Sequence, residues 1–295
     1  MPPPDDTRNM AEVAAQMAFY FPTHFFKFQK AAAQQLMEWQ FRQGQANPYP
    51  FGAPRITLID IGSGVGTALF ALTDLLAAWT EVFAELGYGQ LGLTARLVAV
   101  DSDSNKEGPR KEMLSFLNSM LDQHSMRIEG LTSIQASFPD DDCIRQIADA
   151  AAGSTFTIVS MSNFLSSLPF NEPAGGEAVS PPPASSTEQG AAESQASILA
   201  RKGHVCGEGS GRLIDKLSSR NTLLLTSEVD GQGKTMRFYA RALRPAMELL
   251  IRRNRVRFFS PAGCYWYSLG SGSDGEQSPD PNCAVNFWSL SHWAA

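Results

Sequence analysis

Three glycines and two acids carry the strongest chemical signal in the sequence. Asp60-Ile-Gly-Ser-Gly-Val-Gly66 grows directly out of the apolar run Arg55–Ile61, and Asp101 ends a second such run, residues 95–100. Glycines placed just after a strand let the backbone come close to a ligand where the next helix begins. A carboxylate at the end of the neighbouring strand is placed to accept hydrogen bonds from both hydroxyls of a ribose. The pair points to a nucleoside cofactor.

Two details separate the possible cofactors. The dinucleotide fingerprint requires its third glycine at position 67, where this chain has Thr67, so the close helix packing that accompanies a pyrophosphate is not provided for. Asp60, two residues before Gly62, would set a negative charge beside that pyrophosphate. The same carboxylate suits the cationic ammonium group of S-adenosyl-L-methionine, directly or through water.

Elements of alternating type must hold these residues. Residues 10–44 have a helical pattern interrupted by Pro22, and residues 1–54 are assigned to an N-terminal helical cap. Arg55–Ile61 suits a buried parallel strand, 66–86 a helix closed by the glycines of 87–92, 95–101 a second strand, 106–123 a second helix, and 125–138 contains a third strand. Pro139 and the acids Asp140, Asp141 and Asp142 suit a helix start. A fourth strand is expected at 155–160 and a fifth at 221–228, followed by a long helix over 234–254. Residues 171–211 are rich in Pro, Ala, Ser, Gly and Glu. They are expected to be a disordered insertion with at most a helical piece at 192–202. Two aromatic, alternating stretches, 255–269 and 284–293, read as a terminal hairpin. The order predicts an α/β domain over 55–295 with a largely parallel sheet and an antiparallel edge.

Leu58-Ile-Asp-Ile-Gly-Ser-Gly-Val-Gly66 followed by Leu97-Val-Ala-Val-Asp101 resembles the first two motifs of the class I S-adenosylmethionine-dependent methyltransferases. The resemblance covers about residues 55–228 at the level of motifs. It implies a doubly wound, mostly parallel seven-stranded sheet with an antiparallel C-terminal edge strand, and S-adenosyl-L-methionine as cofactor. It also implies that Gly62, Ser63, Gly64 and Gly66 line the methionine and ribose, with Asp60 near the ammonium and Asp101 on the ribose. Ser102, Ser137 and Phe138 would flank the adenine, and Met161 and Ser162 complete the cofactor set. Ser137 stands where many relatives have an acid, which leaves apolar contact from Phe138. Ser160-Met-Ser-Asn-Phe-Leu-Ser-Ser-Leu168 resembles the Ser-x-x-Leu-x-x-Leu variant of small-molecule and some ribosomal methyltransferases. It lacks the Asn/Asp-Pro-Pro-Tyr/Phe box of enzymes that methylate exocyclic amines and glutamine amides. Residues 20–27 are faintly similar to the ribosomal-small-subunit methyltransferase-like group, whose cysteine cluster is missing here.

The remaining features narrow the partners. A formal net charge of -6 over 295 residues gives no global pull toward a polyanion. Nucleic-acid binding would rest on Arg241, Arg244, Arg252, Arg253, Arg255 and Arg257, for which a solvated helix face is the simpler reading. Cys143, Cys206, Cys264 and Cys283 are too dispersed for a zinc site or a disulfide framework, and are read as reduced thiols. The acidic run at 140–142 is read as helix-dipole compensation, so no metal is expected. His24, within an aromatic stretch, could serve as a general base; the packed face of a cap helix is the preferred reading, and no catalytic residue is assigned. The first residues lack the basic and apolar regions of a signal peptide, and no apolar run is expected to approach the roughly eighteen residues that span a bilayer. A cytoplasmic protein without membrane contact is expected. Its expected function is methyl transfer to a small molecule or a protein side chain, more readily than to nucleic acid. The alternatives are a methyltransferase-like binding module without turnover and an RNA (ribosomal) methyltransferase.

Overall fold

A computed structural model of the chain describes residues 11, 13–15, 17–18, 21–42, 55–88, 92–121, 126–154, 156–162, 195–217, 221–229, 258–266 and 284–292. Five strands run parallel in the order β3-β2-β1-β4-β5: β1 (Arg55–Ile61), β2 (Leu93–Asp101), β3 (Met126–Gln135), β4 (Phe156–Ser162) and β5 (Asn221–Val229). Among the described residues, five α-helices accompany them: α1 (Phe21–Arg42), α2 (Thr67–Phe83), α3 (Glu107–Leu121), α4 (Asp141–Ala150) and α5 (Gln195–Lys216). Two further extended segments, Phe258–Trp266 and Ala284–His292, follow β5 in the chain.

Strand periodicity divides the core in two. Successive side chains of a strand point to opposite faces. Ile56 and Leu58 of β1, Leu97 and Ala99 of β2, and Ile158 of β4 therefore join α1, α2 and α3 in one cluster. Ile59, Ile61, Val98, Val100 and Val159 join α4 and α5 in the other. Helices on both faces explain why β1 and β4 are buried nearly throughout. Phe28, Ala32 and Leu36, four residues apart, dock α1 into the first cluster, and Gln29 donates to Asp74 of α2 at 2.6 Å. Pro22 stands in the first turn of α1, where its missing N–H is harmless.

Three expectations are corrected. The insertion expected to be disordered as far as residue 211 is helical from Gln195 onward. Cys206, Leu213, Ile214 and Leu217 face the second cluster at helical spacing, and Gly207, Gly209 and Gly211 are buried as well. Small residues fill that interface by close approach, which a composition argument does not count. Second, Thr67–Gly87, 21 residues long, is by length and composition apolar enough to cross a membrane. Its buried residues, Leu69, Phe70, Leu72 and Leu76 among them, pack into the first cluster, as befits a core helix. Third, Met161 and Ser162 are the last residues of β4 and do not follow it. The helix expected at 234–254 with its arginines, and residues 163–194, lie outside the described residues.

Candidate functional site

Strand order reverses between β1 and β4: α2 and α3 cover one face as the chain moves from β1 to β3, while α4 and α5 cover the other. In open α/β sheets the crevice at such a switch point, beyond the carboxyl ends of the strands, is where ligands bind. The glycine turn 62–66 sits there. Its amides at Gly62 and Ser63 both donate to the Val100 carbonyl, at 2.8 and 3.0 Å, which staples the turn to the end of β2. Gly66 N–H then donates to Ser63 O at 2.7 Å and Phe70 N–H to Gly66 O at 2.9 Å, starting α2. Gly66 has φ 89°, and a Cβ there would stand 2.5 Å from Phe70 Cε2. Glycine is required at this position both by backbone conformation and by space.

Asp101 is tied to the turn directly. Gly64 N–H donates to its Oδ2 at 2.7 Å and Asp103 N–H to its Oδ1 at 2.9 Å. Lys106 Nζ lies 3.8 Å from Oδ2. Each carboxylate oxygen can accept a further hydrogen bond, so the group keeps capacity for a ribose diol. Its side chain is 8% exposed, at the edge of the crevice.

Asp60 lies beneath the turn. It shares a sheet face with Leu58 and stands in register with Ser160 of β4, whose Oγ donates to Asp60 Oδ1 at 2.7 Å. The Leu69 amide, in the first turn of α2, is its backbone partner. Helix N-termini carry unpaired amides, and this buried acid serves in place of an N-cap side chain, which Gly66 does not have. Burial raises the Asp60 carboxyl to about 7; repulsion from Asp101 adds to the rise, while Ser160, Leu69 and the charge of Arg110 oppose it. At 2% exposure the carboxylate faces protein groups. Its partners there are Ser160 and the Leu69 amide.

Arg110 of α3 is the feature that sequence reasoning missed. It is 3% exposed, and its Nη1 donates to Ser63 Oγ at 3.0 Å and to Gly64 O at 2.8 Å. Burial lowers its pKa, against the attraction of Asp101, Glu107, Asp60 and Asp103. Its position carried a signal: Arg110 stands on the stripe that Met113, Leu114, Leu117 and Leu121 of α3 turn toward the core, and a charge on a buried stripe needs an acceptor. Ser160 was noticed as part of a motif, but its pairing with Asp60 required the strand register.

The other predicted residues fall at varied places. Ser63 is buried and its hydroxyl is engaged by Arg110. Ser102 and Ser137 are exposed beyond β2 and β3. Phe138 and Met161 lie in the second cluster, across the sheet from Asp60, and Ser210 Oγ of α5 approaches Met161 Sδ at 3.7 Å. Ser162 is partly exposed at the end of β4. The structure thus unites the turn, Asp60 and Asp101 and sets the Phe138 and Met161 side chains in the opposite core layer. Phe21 and Phe25 of α1 stack at 5.6 Å and pack against the first cluster, as a cap face does. Asp142 is held by Arg145 and Gln146, and Asp141 by Arg212. Cys143 and Cys206 are buried thiols; burial pushes the Cys143 thiol up to about 11.

The groups at the switch point fit a nucleoside: a carboxylate for the diol and a turn whose backbone is open to close approach. No protein-family model matches the chain, and no curated protein matches it. Two solved structures are similar at low level. One is a putative S-adenosyl-L-methionine-dependent methyltransferase from Methanococcus maripaludis, 11% identical, with a TM-score of 0.35 over 97% of this chain and 92% of that one. The other is WbdD in co-crystals with the kinase inhibitor LY294002, 12% identical, with a TM-score of 0.33 over 80% of this chain. This chain matches 35% of the WbdD chain's length. Similarity this low leaves the function to be read from the site.

Proposed function

We propose that this chain binds S-adenosyl-L-methionine at the carboxyl ends of β1 and β2 and transfers its methyl group to an acceptor. The acceptor in this reading is a small molecule or a protein side chain, met in the cytoplasm without membrane contact. The observation that carries the reading is Asp101, a carboxylate at a strand end beside the switch point, bonded to the Gly64 amide of a glycine turn. Thr67 in place of a third fingerprint glycine argues against a dinucleotide in the same crevice.

When bound, the cofactor would supply an electrophilic methyl group on a positively charged sulfur. The chain's part is orientation. Asp101 would fix the ribose, the amides and carbonyls of 62–66 would border the methionine portion, and Ser102 and Ser137 would lie near the adenine. Holding the acceptor in line with the methyl group is worth far more than any single contact. A seven-stranded sheet belongs to the same reading. Supporting it, Ala284–His292 runs antiparallel to β5, with Thr222 opposite His292 and Val229 opposite Val285, and Phe258–Trp266 pairs with its outer edge.

Calorimetric titration with S-adenosylmethionine and S-adenosylhomocysteine, with NAD as control, tests the proposal. Micromolar binding of the first two, lost in Asp101→Ala, is the expected result. A folded protein that binds neither would sink it.

A further inference from the structure

The glycine turn poses a physical problem that its own backbone does not solve. Gly62, Gly64 and Gly66 all adopt positive φ, at 71°, 53° and 89°, and glycine loses more conformational freedom on ordering than any other residue. The bonds to Val100 fix the entry to the turn and the bond from Gly66 to Ser63 fixes its exit. Gly64, at the apex, is held by side chains alone among the contacts described: its N–H by Asp101 and its C=O by Arg110.

Arg110 is an expensive way to hold a carbonyl. Its guanidinium is almost fully buried, and its Nε has no hydrogen-bond partner among the described residues. A buried donor left unmade costs stability, and an apolar residue of the same length on the buried stripe of α3 would avoid that cost. What an apolar residue cannot do is donate from one nitrogen to both Ser63 Oγ and Gly64 O. We propose that Arg110 is the positioning residue of the glycine turn: it holds the Gly64 peptide in one orientation and sets its amide toward Asp101. The ordering of the turn stands on these contacts alone. Its consequence for a ligand rests on the methyltransferase reading, because a turn already ordered spares the ligand the cost of ordering it.

The test separates the order of the turn from global stability and from ligand binding. Amide hydrogen exchange at Gly64 is measured in the full chain without ligand, beside urea unfolding, for wild type, Arg110→Met, Arg110→Lys and Ser63→Ala. In Arg110→Met, Gly64 exchange is expected to rise about tenfold beyond any change in global stability, the factor that a net charge-assisted hydrogen bond represents. Arg110→Lys, which retains a donor, is expected to recover part of the protection. Ser63→Ala removes one acceptor, leaves the chain folded, and is expected to raise Gly64 exchange by a smaller factor. Unchanged Gly64 exchange in both Arg110→Met and Ser63→Ala would overturn the proposal, as would a rise that merely follows lost global stability. Should Arg110→Met fail to fold, Ser63→Ala and Arg110→Lys decide. The same variants titrated with S-adenosylhomocysteine read the consequence: weaker binding in Arg110→Met, recovered in Arg110→Lys, is expected. Failure of the wild type to bind overturns the cofactor reading and leaves the exchange result to decide on Arg110.

Discussion

Replacing Asp60 with asparagine isolates what it costs to keep a carboxylate beneath the glycine turn. In the folded chain burial raises this carboxyl from its ordinary 3.8 to about 7, although Ser160 and Leu69 hydrogen-bond to it. Between those two values the native state holds a proton that the unfolded chain has released. Stability falls with rising pH wherever the native state binds more protons. The contribution is therefore fully present below about pH 4, declines through the interval, and is gone above about pH 7. At about 1.4 kcal/mol per pH unit, the interval from 3.8 to about 7 corresponds to roughly 4 kcal/mol. Asparagine keeps a carbonyl for Ser160 but does not titrate, and its poorer fit to the Leu69 amide subtracts an amount that pH does not change. Urea unfolding of both proteins from pH 4.5 to 8.5, at equal m-values, reads the difference. The stability of Asp60→Asn relative to wild type should climb by about 1.4 kcal/mol per pH unit up to about pH 7 and then level off. A relative stability that is flat across this range would refute the argument that Asp60 is desolvated, whatever its absolute offset.

Three further expectations share the same reasoning. Asp101→Ala removes a charge that repels Asp60 and the acceptor for Gly64 N–H; the Asp60 transition should move to lower pH in that variant, and an unmoved midpoint would show the two acids to be uncoupled. Gly66→Ala forces a left-handed backbone on alanine and drives its Cβ into Phe70, so strain and overpacking together should cost about 2–4 kcal/mol in urea unfolding. Gly209→Ala would set a Cβ 2.1 Å from Pro139 Cβ and 3.3 Å from Phe138 Cε1; a loss of about 1–3 kcal/mol is expected, whereas a neutral result would mean that α5 does not pack there.

What could be read beforehand depended on whether the signal was local. Strand β1 and the turn announce themselves because branched apolar residues, three glycines and an acid lie within Arg55–Gly66. Asp101 followed from the same logic one strand later. The helix Gln195–Lys216 was misjudged because Gly203, Gly207, Gly209 and Gly211 resemble the composition of a linker. Disorder follows from too little apolar burial only if burial requires large side chains. Here Gly209 lets the α5 backbone reach Pro139, and Arg212 adds a hydrogen bond to Pro139 O at 2.8 Å. The small residues are what permit contact.

The acids raise a different point, because their importance was legible and their partners were not. Parity along the strands sets Asp60, Ser160 and Asp101 on the same face as Leu58, Ile158 and Ala99, so all three turn toward α2 and α3. A strand pattern fixes that parity, but the pairing of Asp60 with Ser160 needs β1 and β4 in register, and Arg110 reaches the turn across 46 residues of chain. Two buried acids on one face would repel each other as both became ionised. A cation carried from α3 to the turn relieves that repulsion without opening the crevice to water. Arg110 answers that requirement, with Asp101, Asp60 and Asp103 all raising its pKa against burial. The charge on the buried stripe of α3 therefore follows from the two acids at the strand ends.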